Sequence, residues 1–343
     1  MLEDRRAVHD LPRIYACWHK SHEIRMKSSS GGAFSAIAET VLEQGGCVWG
    51  AAYAESLELT YQCVGQAADL DRLRRSKYVQ CRVGDAFREV RALLAGGRTV
   101  LFVGTSCHVR GLYAFIPTAL QERLITVDFI CHGVPSPAVF RMYVDWLEKR
   151  YGDRLVDFNF RDKRYGWDNG ILTVGTFARS GERTFMNAEN SFFQGMLHDL
   201  FIRPCCYRCT SGGLRRESDF TVADFWGIGR KDKFAYEREK RFGVSLLALN
   251  SEKAVRTFQG GVKDKMFCIP RSLEEAYTYN RNYRYAARQN PMTEDFWAAF
   301  GRARTWDDLS AFFRPTASER CKLFVKKWLG PAVSNRLRRL MGR

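Results

Sequence analysis

No stretch of this chain approaches the roughly 18 to 20 consecutive apolar residues that a membrane-spanning helix needs, which excludes a helical membrane protein. The opening residues, MLEDRRAVHDLPRIYACW, carry charges where a signal peptide would carry its apolar run; export is not expected, and the cytoplasm is the expected compartment. No strand-like run leads into G-x-G-x-x-G, since WGIGRKD (226–232) lacks the spacing, so a dinucleotide site of the NAD type is not expected. Internal repeats and clear linkers are lacking, as is any recognisable nucleic-acid-binding module. Only one cysteine, Cys17, lies in the first forty residues.

What is there begins with size. At 343 residues the chain exceeds the length at which a single core usually stops growing, so one large or two interlocked domains are expected. A hydrophobic share of 45%, with 24 Phe, 14 Tyr and 8 Trp, is globular. The net charge of +16 attracts acidic partners, whether nucleic acid, anionic lipid, phosphorylated cofactor or acidic protein, without choosing among them. Eleven cysteines, an odd number, in a reducing compartment argue against a disulfide framework and turn attention to metal binding or catalysis wherever they cluster.

Strand and helix patterns alternate through the first half, the signature of an α/β fold: a mixed, largely parallel sheet flanked by helices. RIYACW (13–18) reads as a strand, KSSSGG (27–32) as a turn and AFSAIAETVLEQGG (33–46) as an amphipathic helix closed by glycines. CVWGAAY (47–53) is a strand, and LDRLRRSKYVQ and GDAFREVRALLAGG read as helices. Two apolar strands follow, in RTVLFVGTSC (98–107) and LITVDFICHG (124–133), each running into a helix. VDFNFRD, ILTVGTFA, SDFTVADFWG (218–227) and GVSLLALN (243–250) supply further strands. The simplest division is an α/β catalytic body over 1–270 and a basic, helical C-terminal tail over 271–343.

Cys107 and Cys131 each follow a strand and precede a helix, which puts both at carboxyl ends, the edge where open α/β folds bind ligands. Cys206 and Cys209, in RPCCYRC, form a C-x2-C pair whose spacing lets two thiolates bind one metal or cluster. Together they make four sulfurs, the number an iron–sulfur cluster takes. Ordinary packing remains the alternative, since free cysteine is often buried as a small hydrophobe; Cys17, Cys47, Cys63, Cys81, Cys268 and Cys321 fit that description better. Cys205 is ambiguous, because adjacent cysteines cannot easily both reach one cluster.

KSSSGGAFSAIAE, LRRSKYVQC, VLFVGTSCHVRGL, VDFICHGVPSP, FRDKRYGW and RPCCYRCTSGGLRRESDFTVADFWGI together resemble the coenzyme F420 hydrogenase/dehydrogenase beta-subunit family, a group of iron–sulfur flavoproteins, over roughly residues 13–260. The resemblance implies FAD and a 4Fe-4S cluster, with Cys107, Cys131, Cys206 and Cys209 as metal ligands. It implies a flavin site built from Lys27, Ser28, Ser29, Ser30, Gly31, Gly32, Lys77 and Tyr78, with Gly104 and Thr105. A Ser/Gly run entering a helix does offer backbone N–H groups to a pyrophosphate, although it serves equally as a helix cap. The implied activity is an oxidoreductase taking electrons from a reduced carrier, ferredoxin or a deazaflavin, through the cluster to FAD for reduction of an organic substrate. A sugar in polysaccharide biosynthesis is one such substrate class by analogy.

The chain departs from the family in two places. Clusters of an N-terminal ferredoxin-like segment are not expected, so electrons come from a separate partner. The usual GTPCQ reads GTSCH (104–108), with Ser106 and His108 in place of proline and glutamine. His132 and His108 are the candidate proton donors, since imidazole titrates near neutrality. Arg161, Asp162, Lys163 and Trp167 read as pocket lining or as a solvated turn, and Asp219, Asp224 and Trp226 as packing. The tail 321–343 spaces its apolar residues at helical intervals between Lys and Arg, which suits an anionic membrane surface or an acidic partner. Two rival readings stay open: structural zinc in a basic binding protein, and a thiol enzyme using Cys107. Nucleic acid is not an expected partner.

Overall fold

The computed structural model describes residues 11–167, 172–186 and 190–313. Its strands are β1 (Arg13–His19), β2 (Cys47–Tyr53), β3 (Leu59–Val64), β4 (Val100–Val103), β5 (Leu124–Phe129), β6 (Leu155–Asp162), β7 (Leu172–Phe177), β8 (Gly181–Met186), β9 (Phe220–Asp224), β10 (Ser245–Leu249) and β11 (Met266–Arg271). Eight of them form one sheet in the order β11-β1-β10-β9-β5-β4-β2-β3, while β6, β7 and β8 form a separate antiparallel sheet. The helices that matter most here are α1 (His22–Lys27), α2 (Ala33–Glu43), α3 (Ala86–Ala95), α4 (Ser106–Phe115), α5 (Pro137–Tyr151) and α6 (Ser191–Leu197).

The expected mixed α/β sheet is present, with its parallel order in the centre. β2, β4, β5 and β9 run parallel, and β3, β10, β1 and β11 add antiparallel pairs around them. VLFV of β4 and the first five residues of β5 are almost wholly buried, as expected of parallel strands covered on both faces. Helices α3 and α4 supply the crossovers that parallel neighbours need. After β5 the chain leaves to build the second sheet and returns as β9 beside β5.

The second sheet shares an aromatic core with α5 and α6, in which Phe140, Tyr143, Phe158, Phe160 and Phe192 are fully or almost fully buried. Phe158 and Phe160 meet edge to face at 4.7 Å, a preferred aromatic geometry. Phe296, Trp306 and Leu309, from residues 293–313, pack into that same core.

Local chemistry overrode the pattern in a few places. The helix expected at LDRLRRSKYVQ is only a 3-10 turn over Ala67–Arg72. Arg75 adopts φ 72°, which no continuing helix tolerates, and its guanidinium pairs with both oxygens of Asp157 at 2.7 and 3.2 Å. β8 escaped notice because GERTFM is largely exposed, and β11 because its Pro270 reads as a breaker; Pro is tolerated there because β11 is an edge strand. The expected basic tail over 321–343, with Cys321, lies outside the described residues. Among the described residues no helix is long and apolar enough to cross a membrane.

Candidate functional site

The carboxyl ends of β4, β5 and β9 lie side by side. β4 leads through Gly104 and Thr105 into α4, whose second residue is the exposed Cys107; Thr105 Oγ1 lies 3.1 Å from its sulfur. β5 leads to Cys131, whose sulfur accepts the Gly133 N–H at 3.3 Å. Cys206 sits in a single 3-10 turn, Pro204–Arg208, with Cys209 just after it. The last two segments are tied together: Pro135 bridges Ile202, and Arg203 N donates to Val134 O at 2.9 Å.

Gly133 makes that approach possible. At φ 108° it holds a conformation reserved for glycine, and a Cβ there would stand 2.7 Å from Ile202 Cδ1 and 3.4 Å from Cys206 Cβ. Burial pushes the Cys131 thiol up to about 12, opposed by the Gly133 N–H and reinforced by the charges of Cys206, Cys107 and Cys209. Burial likewise raises Cys206 to about 11, opposed by the backbone at Val134 and reinforced by Cys205 and Cys107. Cys131 is therefore within electrostatic reach of the other three sulfurs singled out by spacing. Among the described residues no three His, Cys, Asp or Glu side chains cluster tightly enough to grip a single metal ion. The other cysteines are elsewhere: Cys17 faces Cys268 across β1 and β11, and Cys47, Cys63 and Cys81 lie on or near the β2–β3 hairpin.

Beneath Cys107 is a buried ion pair. Asp128 accepts from Ser106 Oγ at 2.7 Å, from Thr221 Oγ1 at 2.6 Å and from Arg216 at 3.2 Å, and both charged side chains are 1% exposed. The guanidinium of Arg216 rests 5.1 Å from the ring centre of Tyr283. His108 Nδ1 is 3.0 Å from Tyr61 Oη, and burial, then Arg203, lowers the imidazole from its usual range. His132 Nε2 lies 2.9 Å from Asp199 Oδ1, in a geometry short of a hydrogen bond.

The Ser/Gly turn before α2 is knitted into the sheet. Ser30 Oγ donates to Val244 O at 3.0 Å, and the Gly31 N–H donates to Ser245 Oγ at 2.8 Å. Gly32, at φ 95°, caps α2 with no side-chain bond. Ser29 Oγ accepts the Ser76 N–H at 2.7 Å, so the turn and the Lys77–Tyr78 segment do meet. Lys77 Nζ is spent on the carbonyls of Leu73, Arg74 and Arg75, and burial, then Arg75, pushes it down to about 7. Tyr78 packs on Phe160 and Phe193 and faces Arg161 across 3.4 Å.

Next to this turn opens a cavity of about 650 Å³ whose lining includes Lys27, Ser28, Arg74, Arg75, Arg161 and Lys163. Arg161 pairs through both terminal nitrogens with Asp224, and its buried Nε has no partner. Trp167 Nε1 donates to the same carboxylate at 2.6 Å and stacks on Trp226 at 4.7 Å. Phe129 pairs with Val222 across β5 and β9, so Asp224 and Cys131 each come two residues further along neighbouring parallel strands. The cavity's innermost arginine thus joins the sheet edge beside the cysteines. Asp219 is buried and structural, accepting Thr126 N at 2.9 Å and Ser251 Oγ at 2.6 Å.

Arg74 and Arg75 were not singled out in advance, and nothing in the sequence marks the left-handed turn that aims Arg75. Lys163 is the tie of this region: Nζ donates to Arg25 O, Ser30 O and Phe242 O at 2.7, 2.5 and 2.9 Å. Lys163→Met is expected to cost about 2 kcal/mol in urea unfolding, since three carbonyls lose a donor. Burial, then the Arg25 charge, pushes Lys163 down to about 7, against about 10.4 in an unfolded chain. Between those values the unfolded chain binds more protons, so this group's contribution to stability rises with pH. The gap between wild type and Lys163→Met should widen from about pH 7 to about pH 9.

The central strands thus deliver Cys107 and Cys131 to one carboxyl edge, beside a cavity of mixed charge. Residues 97–271 match the family described as the C terminus of the coenzyme F420 hydrogenase/dehydrogenase beta subunit, and the chain belongs to that family. Among solved structures, a chain of the xenon-derivatised F420-reducing [NiFe] hydrogenase complex from Methanosarcina barkeri is similar, with TM-score 0.51 and 15% identity over 81% of this chain and 95% of that one. At that identity the likeness is one of fold. No curated protein matches the chain.

Proposed function

We propose that this protein is an iron–sulfur flavoprotein oxidoreductase, with Cys107, Cys131, Cys206 and Cys209 as the ligands of a 4Fe-4S cluster and FAD in the adjoining crevice. The observation that carries the reading is the gathering of these four sulfurs, from three separate segments, at one sheet edge. A cluster held by these cysteines would supply one-electron chemistry, and a flavin beside it hydride chemistry.

The chain's own residues do the rest. The unpartnered Nε of Arg161, on the cavity lining, offers a charged donor to an anionic group of the cofactor. Trp167 and Trp226 stack flat on one another beside the Arg161–Asp224 pair. His132 and His108 are the proton donors within reach of the sulfur edge. The reduced carrier is a ferredoxin or a deazaflavin, and the acceptor is a small organic molecule, with a sugar as the class of interest. A thiol enzyme is the weaker reading, because the ring of His108 turns to Tyr61 instead of activating Cys107.

The test is an ultraviolet–visible spectrum of anaerobically purified protein, with iron, acid-labile sulfide and flavin assays, on wild type and on a Cys206→Ser, Cys209→Ser variant. Flavin bands over a broad shoulder, with shoulder, iron and sulfide lost in the variant, are expected. A colourless wild type that retains zinc would overturn the reading.

A further inference from the structure

We infer that the rim of the cysteine crevice, an arginine–tyrosine strip along residues 277–288 facing the arginines of 203–215, is the docking surface for a small acidic electron-carrier protein. This rests on the redox reading above and adds to it the partner and the face.

The first observation is charge. From 200 to 216 the chain has no Asp or Glu and carries Arg203, Arg208, Arg215 and Arg216. From 276 to 293 it again has no acid and carries Arg281, Arg284 and Arg288. Apart from Arg216, which is spent on Asp128, these arginines are all exposed.

The second is position. Tyr283 packs under Arg216, which bonds Ser106 at 2.7 Å, the residue before Cys107. Further along, Thr293 Oγ1 lies 3.5 Å from Tyr207 Oη, inside the C-x2-C pair, and Asn290 Nδ2 donates to His198 O at 2.7 Å. The strip therefore spans from the foot of Cys107 to the Cys206–Cys209 turn, where the exposed thiols are. A carrier seated on it would hold its own redox centre against that edge.

The third is the side chains themselves. Arg284 lies 4.6 Å from the ring centre of Tyr277 and 5.3 Å from that of Tyr285, Arg281 lies 5.6 Å from Tyr285, and Arg230 lies 5.3 Å from Tyr279. Aromatic faces hold these guanidinium groups in place, so less side-chain freedom is lost on docking. Tyr279 is itself fixed, since its ring fills the space a Cβ on Gly227 would need. Tyr and Arg are also the residue types enriched where protein interfaces gain their energy. A merely solvated cationic face has no need of such pairs.

The test is calorimetric binding of a small acidic ferredoxin at about 50 mM and about 500 mM salt, with wild type, Arg281→Glu/Arg284→Glu, and a charge-matched control, Arg123→Glu/Arg256→Glu, at the opposite sheet edge. The rim variant is expected to bind about tenfold or more weakly at low salt and to lose most of the salt dependence, with the control near wild type. Equal weakening in both variants, no binding by wild type, or equally tight binding of polyglutamate would overturn the proposal. Binding needs no turnover, so it stands apart from the cofactor question. Reduction of the bound cofactors by methyl viologen should be unchanged in the rim variant; a wild type reduced by no donor at all would sink the redox reading instead.

Discussion

Arg216→Met is expected to destabilise the chain by about 3 to 5 kcal/mol, the usual cost of leaving a buried charge without its partner. Asp128 is 1% exposed and sits between Ser106 and Thr221. Those two hydroxyls hydrogen-bond the carboxylate but bring no compensating charge. The double variant Arg216→Met, Asp128→Asn should recover much of the loss, because a neutral amide tolerates that environment. Chemical denaturation of the four members of the cycle measures the coupling directly. A single variant as stable as wild type would mean that Asp128 is solvated in a way its burial does not allow.

Gly31→Ala is expected to cost about 3 kcal/mol or more, at the upper end of overpacking effects. A Cβ on Gly31 would stand 2.3 Å from Cys17 O and 2.7 Å from Ser245 N. Both neighbours are backbone, in adjacent strands β1 and β10, so no side chain can swing aside. The turn would have to lift, breaking the Gly31 bond to Ser245 and loosening Ser29 from Ser76. Gly45→Ala is the comparison: Gly45 has φ 79° but nothing within 4 Å of a Cβ, so only backbone strain of about 1 kcal/mol is expected. Thermal unfolding of the two variants separates lost space from strained conformation.

Much of this was legible before the fold was known, for physical reasons that differ from residue to residue. β2, β4 and β5 announced themselves as apolar runs, and Cys107 and Cys131 could be placed at the sheet edge because a strand–loop–helix order leaves them nowhere else. The C-x2-C pair was visible as spacing. Gly133, which lets that pair approach Cys131, was not, since its value lies in a positive φ and a contact across some seventy residues. The Ser/Gly turn was found, but its hydroxyls proved to be committed to Val244 and Ser76. Arg161 and Asp224 each stood out alone, and only the fold reveals that they are one ion pair shared with Trp167. Long-range pairing of this kind carries no local signal.

The place of β1 also dictates the order of events on the ribosome. It precedes every other described strand, yet it pairs with β10 and β11, which come more than two hundred residues later. At about 5 to 20 residues per second the nascent chain must keep β1 unpaired for roughly 10 to 50 seconds. β2, β4 and β5 can assemble in that interval with their own crossover helices. The Ser/Gly turn, which needs Val244 and Ser245 to hold it, can form only after β10 has been made.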